Sequence, residues 1–196
     1  MRVTLTHPEN MNITDANGDV FIGGSQRWYT RFWRRMSGCG PVSASNLIWY
    51  KTDTPRTKDR YCQLMEKMFT YVTPGSHGVN TSTIFTEGIM RYGADTGLSY
   101  TTKVIEIPKT PADRPDAGAV SAFITDALQV DSPLAFLNLS SGSIKSFDSW
   151  HWVTITAFDT DTMQAEICDY SKQICADIAE WLETSKLGGA IVSLRW

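Results

Sequence analysis

Three side chains in this sequence have the types and spacing for joint nucleophilic and acid–base chemistry. Cys39 sits between two glycines in the stretch "SGCGPVSASNLIWY", just ahead of an apolar run. His151 opens "HWVTITAF", and Asp169 falls near the end of "MQAEICDY". A cysteine at a helix N-terminus meets the positive end of the helix dipole and unpaired backbone N–H groups, and both favour the thiolate. An imidazole oriented by a carboxylate is the base that such a nucleophile needs. The N–H of Cys39 is placed to donate to a tetrahedral oxyanion. Gly38 and Gly40 would let a substrate backbone come close. The same residues also fit a buried structural thiol and a structural His–Asp hydrogen bond, since cysteine is among the most buried residue types.

The elements that must position these groups are legible from periodicity. Residues 41–51 read as a helix with Pro41 just inside its start, where a missing N–H costs least. Residues 59–72 place Tyr61, Leu64, Met65, Met68, Phe69 and Val72 on one helical face, and 81–92 do the same with Ile84, Phe85, Ile89 and Tyr92, with Gly93 as the expected cap. Residues 102–107 read as a short strand, 108–118 as a proline-rich connector and 119–129 as an amphipathic helix. Strands follow at 133–139, 151–158 and 163–170, then a helix at 176–186 and a last strand at 190–194. The first 38 residues are polar and turn-rich, with one β-like piece, "DVFIGG". Helices come first and strands mostly later, which predicts an α+β domain.

Strand register connects His151 to Asp169. With "FDTDT" (158–162) as the turn, Ala157 faces Met163, Ile155 faces Ala165, Val153 faces Ile167 and His151 faces Asp169. All eight side chains then share one face. Six are apolar, and the polar pair sits at the open end. Directly opposed residues lie roughly 4.5–5.5 Å apart at Cβ, within reach of a His–Asp hydrogen bond.

Bulk properties narrow the alternatives. At 196 residues, 42% apolar and 20% charged, the chain suits one ordinary globular domain. The net charge of −3 carries no long basic block, so nucleic acid is a poor partner. The cluster "RFWRR" (31–35) reads as a surface loop with packed aromatics. No apolar run approaches the roughly 18 residues of a membrane span. The N-terminus lacks the pattern of a signal peptide, so a cytoplasmic location is expected. Cys39, Cys62, Cys168 and Cys175 lack zinc-ribbon spacing, and the histidines form no metal motif. No metal or organic cofactor is expected. A Cys168–Cys175 disulfide is disfavoured in a reducing compartment. His77 reads as a surface residue, Cys62 as packed, and Trp150 and Trp152 as a water shield or a filler beside His151.

The stretch "SGCGPVSASNLIWY" resembles the nucleophile helix of papain-like cysteine peptidases, most closely the C39-like branch that includes the bacteriocin-processing peptidases. "PLAFLNL", "SWHWVTITAFD" and "EICDY" resemble that branch's later block, and the resemblance spans roughly residues 23–170. It implies a single papain-like domain, with a helical lobe over about 25–100 and an antiparallel sheet lobe over about 101–196. It also implies a Cys39–His151–Asp169 triad acting on a peptide or amide. Two positions depart from the family pattern. Tyr170 follows Asp169 where relatives carry proline, and Trp33 stands where they carry an oxyanion-hole glutamine. Gln26, the nearest upstream glutamine, is the candidate for that role. An acyltransferase with the same triad, and a papain-like binding module with an idle thiol, are the alternative readings.

Overall fold

A computed structural model describes residues 1–196. The chain begins with β1 (Arg2–Thr4), β2 (Asn12–Thr14) and β3 (Val20–Ile22). Four helices follow: α1 (Phe32–Ser37), α2 (Cys39–Lys51), α3 (Lys58–Met68) and α4 (Ser82–Thr96). Next come β4 (Thr101–Ile107), α5 (Ala117–Gln129), β5 (Leu134–Asn138), β6 (His151–Asp159), β7 (Gln164–Asp169), β8 (Lys172–Asp177), α6 (Ile178–Thr184) and β9 (Gly189–Arg195). The fold is α+β, built on a seven-stranded antiparallel sheet.

The sheet runs β4-β9-β5-β6-β7-β8. β5 pairs with residues 151–155 of β6, and β1 pairs with residues 157–159 of the same strand. Alternation along the strands divides the core in two. Leu134, Phe136, Val153, Ile155, Ile167 and Ile191 pack with α5 and α6. Ala135, Leu137, Trp152, Ala190 and Val192 pack with α2 and α4 on the other face. Trp152 stacks on Phe85 at 4.3 Å and donates to the Val79 carbonyl at 2.6 Å. Burying a large side chain of this kind contributes roughly 1.5–3 kcal/mol, so these contacts fix α4 firmly on the sheet.

Helix α2 is buried along twelve consecutive residues, Cys39 to Tyr50. A helix buried on all sides must satisfy its polar side chains internally, and this one does. Ser43 donates to the Val153 carbonyl at 3.0 Å, and Ser45 to Pro41 at 2.8 Å. Asn46 joins three elements: its Oδ1 accepts from Gly24 N at 2.9 Å and from the Tyr61 hydroxyl, and its Nδ2 donates to Thr154 at 3.0 Å.

Several expectations need correction. The β6–β7 register is Ile155 opposite Ile167 and Thr154 opposite Cys168, two residues from the expected pairing. A shift of two keeps the β6 side chains up to Ile155 on their expected face. A bulge at Thr156 then moves the register one further, so Phe158 rather than Ala157 enters the core. α4 runs through Gly93, where a Cβ would lie 2.8 Å from the Tyr100 ring, and ends at Gly97 in a left-handed cap. The "RFWRR" segment lies in and just before α1, and its aromatics are exposed rather than packed: Phe32 is 71% and Trp33 52% accessible. No helix is long and apolar enough to cross a membrane.

Candidate active site

Cys39 is the first residue of α2, so its N–H falls outside the helix ladder. The residue is 8% accessible. Gly38 and Gly40 are small for internal reasons rather than for substrate access. A Cβ at Gly38 would lie 2.4 Å from the Arg34 carbonyl oxygen, and one at Gly40 would lie 2.8 Å from Val79.

His151 is the first residue of β6 and Asp169 the last of β7. His151 Nε2 lies 2.7 Å from Asp169 Oδ1, and the two side chains are 7% and 9% accessible. The contact survives the changed register because diagonal neighbours on a strand pair remain within reach of long side chains. With Nε2 bound to Asp169, Nδ1 is the ring nitrogen left for Cys39. Burial pushes the imidazolium pKa down, but the Asp169 hydrogen bond and the Cys39 sulfur outweigh it, and the pKa is raised to about 10. The site therefore favours a protonated ring beside the sulfur at neutral pH.

Gln26 opens a 3₁₀ turn, Gln26–Trp28, capped by the Ser25 hydroxyl. It lines one narrow cleft with Cys39, His151 and Asp169, which holds space for about a single water (volume about 10 Å³). Gln26 Oε1 is buried and has no hydrogen-bond partner. A half-turn of the amide presents its N–H₂ donors at the same place. The thirteen-residue step from Gln26 to Cys39 is taken up by the 3₁₀ turn and α1.

Cys39 also forms part of a second, wider groove of about 340 Å³. Its apolar wall is Trp33, Met36, Val79, Leu137, Leu139 and Trp150, and no lysine, arginine, aspartate or glutamate lines it. His77 is exposed, as expected of a surface residue, and it also lines this groove. Trp150 lies on its wall, and Trp152 is committed to Phe85 and Val79. Trp152 also lines the narrow cleft with His151 and Asp169.

Pattern reading missed the residue that stacks on His151. Tyr170 lies 5.2 Å from the imidazole, ring to ring, at an interplanar angle of 18°. Arg27 covers its ring at 4.3 Å. Tyr170 and Ser171 form the two-residue turn between β7 and β8, with φ of 46° and 63°. Positive φ at both positions is the type I′ hairpin geometry, which proline cannot adopt. This explains the missing proline after Asp169. Trp150, just before His151, also has a left-handed backbone, with φ of 57°. Bulky residues in this region are strained, and such strain collects at functional sites.

Cys62 is half-buried, Cys175 exposed and Cys168 buried, and all four thiols are free. Burial pushes the Cys168 thiol up to about 12, so it stays protonated. No cluster of three or more metal-ligating side chains occurs. No protein-family model and no curated protein matches the chain.

Proposed function

We propose that this protein is a cysteine peptidase or amidase of the papain-like, C39-like type. The observation that carries the reading is the placing of one imidazole between a buried carboxylate and a helix-N-terminal thiol. The packing of α2 on one sheet face, with its first residue meeting the first residue of β6, supports a papain-like arrangement.

In this reading the Cys39 thiolate attacks an amide carbonyl carbon. The Cys39 N–H and the Gln26 amide hold the resulting oxyanion. His151, carrying the proton, gives it to the leaving amine as the C–N bond breaks, and a thioester remains. His151 then takes a proton from water, hydroxide adds to the thioester, and the acid leaves as the thiolate is restored. Asp169 fixes the ring throughout. The uncharged groove beside Cys39 favours substrates with a bulky apolar residue next to the scissile bond.

The test is alkylation by iodoacetamide across pH, with adducts mapped by mass spectrometry. Buried Cys39 should react faster than exposed Cys175 below pH 8, and His151→Gln should abolish the difference. If Cys175 reacts faster in the wild type, the nucleophile reading fails. Turnover of fluorogenic amides with and without an added amine acceptor separates hydrolysis from acyl transfer. Among those amides, a bulky apolar residue should lower KM relative to glycine.

A further inference from the structure

Tyr170 occupies a backbone position that its residue type disfavours. The two-residue type I′ turn between β7 and β8 suits asparagine and glycine, not a bulky aromatic. Its retention there asks what the ring does. The Tyr170 ring lies nearly parallel to the His151 imidazole, and the Arg27 guanidinium also lies over that ring. Arg27 directly follows Gln26 in the 3₁₀ turn. The turn backbone is joined to the same segment: Ser171 N donates to the Gly24 carbonyl at 3.0 Å, and Ile22 N to the Ser171 carbonyl at 3.2 Å.

We propose that Tyr170 is a positioning residue, clamped by Arg27, that holds the His151 ring in the plane set by Asp169 and Cys39 and ties that ring to the turn bearing Gln26. The inference rests on the triad reading above but concerns a residue outside it. Two effects follow. The stack restricts rotation of the imidazole, keeping Nε2 on Asp169 and Nδ1 toward the sulfur. The π face also favours the cationic ring, as aromatic faces favour any cation laid against them. The charged and titratable groups around this assembly are Asp169 on β7, Cys39 on α2, Arg27 over the Tyr170 ring, and Asp148, whose Oδ2 accepts from the Tyr170 hydroxyl at 3.4 Å. Asp148 touches only the hydroxyl, so it is separable from the stack by substitution.

The experiment compares wild type, Tyr170→Phe, Tyr170→Asn and Arg27→Met. The readouts are thermal unfolding, NMR titration of the His151 ring, and the pH profile of Cys39 alkylation. Tyr170→Asn suits the turn and should unfold no lower than wild type. Its His151 should titrate roughly half to one pH unit lower, and the alkaline limb of Cys39 alkylation should move with it. Tyr170→Phe keeps the stack and should match wild type in all three. Arg27→Met should broaden the Tyr170 ring resonances. The proposal is overturned if His151 titrates as in wild type in Tyr170→Asn, or if Tyr170→Phe shifts it equally. It is also overturned if Tyr170→Asn chiefly lowers the unfolding temperature, since the ring would then serve stability alone. A wild-type Cys39 that reacts slower than Cys175 would refute the peptidase reading, while the NMR titration would still decide the role of the stack.

Discussion

Replacing Asp169 by asparagine removes the charge and keeps the shape. The hydrogen bond it makes to His151 spans 2.7 Å between side chains almost closed to solvent. Charge-assisted hydrogen bonds of this kind contribute about 1.5–3 kcal/mol. At 1.36 kcal/mol for each pH unit, the His151 pKa in Asp169→Asn should fall by about one to two pH units. Stability follows from linkage. The folded ring pKa is raised from 6.5 to about 10, so between those values the folded chain binds more protons than the unfolded one. His151 therefore contributes its full stabilisation below pH 6.5, and the contribution is lost as pH rises toward 10. In Asp169→Asn that loss should shrink by the same 1.5–3 kcal/mol or so. NMR titration of the ring gives the pKa directly, because the chain has only three histidines. Urea unfolding at pH 6 and at pH 9 gives the stability. A variant whose His151 titrates with the wild type would refute the reasoning, because the carboxylate would then not be holding the proton.

Asn46→Ala should cost about 3 kcal/mol, since it strands the buried Gly24 N–H and removes one partner each from Tyr61 and Thr154. Calorimetry should show unfolding lower by roughly 6–12 °C; a drop under about 2 °C would count against the network. Gln26→Ala should lower kcat/KM on an amide substrate by about 10²–10³. It should leave iodoacetamide alkylation of Cys39 within about twofold, because alkylation forms no oxyanion; equal losses in both assays would rule out the oxyanion role. Gly40→Ala should destabilise by about 1–3 kcal/mol through its collision with Val79. Adding Val79→Ala should recover part of that loss in a double-mutant cycle, and no recovery would place the clash elsewhere.

The sites of the long elements were readable because one period dominated each of them. α3, α4 and α5 carry apolar residues at steps of three and four, β5 is apolar from Leu134 to Leu137, and β9 is apolar but for Ser193 and its terminal Arg195. Pairing between elements was less accessible. The turn falls at 160–163 rather than 158–162, and the Thr156 bulge leaves no compositional mark, so the register of β6 on β7 was misplaced and the face assignment survived only up to Ile155. β8 was missed because Tyr170-Ser171 carries none of the asparagine or glycine signal of a hairpin turn. β1 was missed because three residues give no period at all. At the candidate site, Cys39, His151 and Asp169 were marked by residue type and order, and the structure brings them together with Gln26. Arg27 and Tyr170 were not marked, because ring stacking depends on a turn geometry that their spacing does not encode. Gly38 and Gly40 show the converse: a glycine pair beside a nucleophile suggests room for substrate, but the space is filled by Arg34, Tyr29 and Val79.

The order of strands in the sheet differs sharply from the order of their synthesis. β9 comes ninth in the sequence, yet it lies between β4 and β5, and β1 comes first of these strands, yet it pairs with the end of β6. A nascent chain exposes Cys39 long before residues 151–169 exist, and the sheet that supports His151 stays open until residue 195 has emerged. Pairings this distant in sequence make folding slow, because loop closure is paid before the contacts form. Cys39 and His151 lie far apart in the chain, so their meeting waits on the long-range packing of α2 against β6. Under the proposed function, the capacity to attack amides would belong to the folded chain and not to the unfolded one.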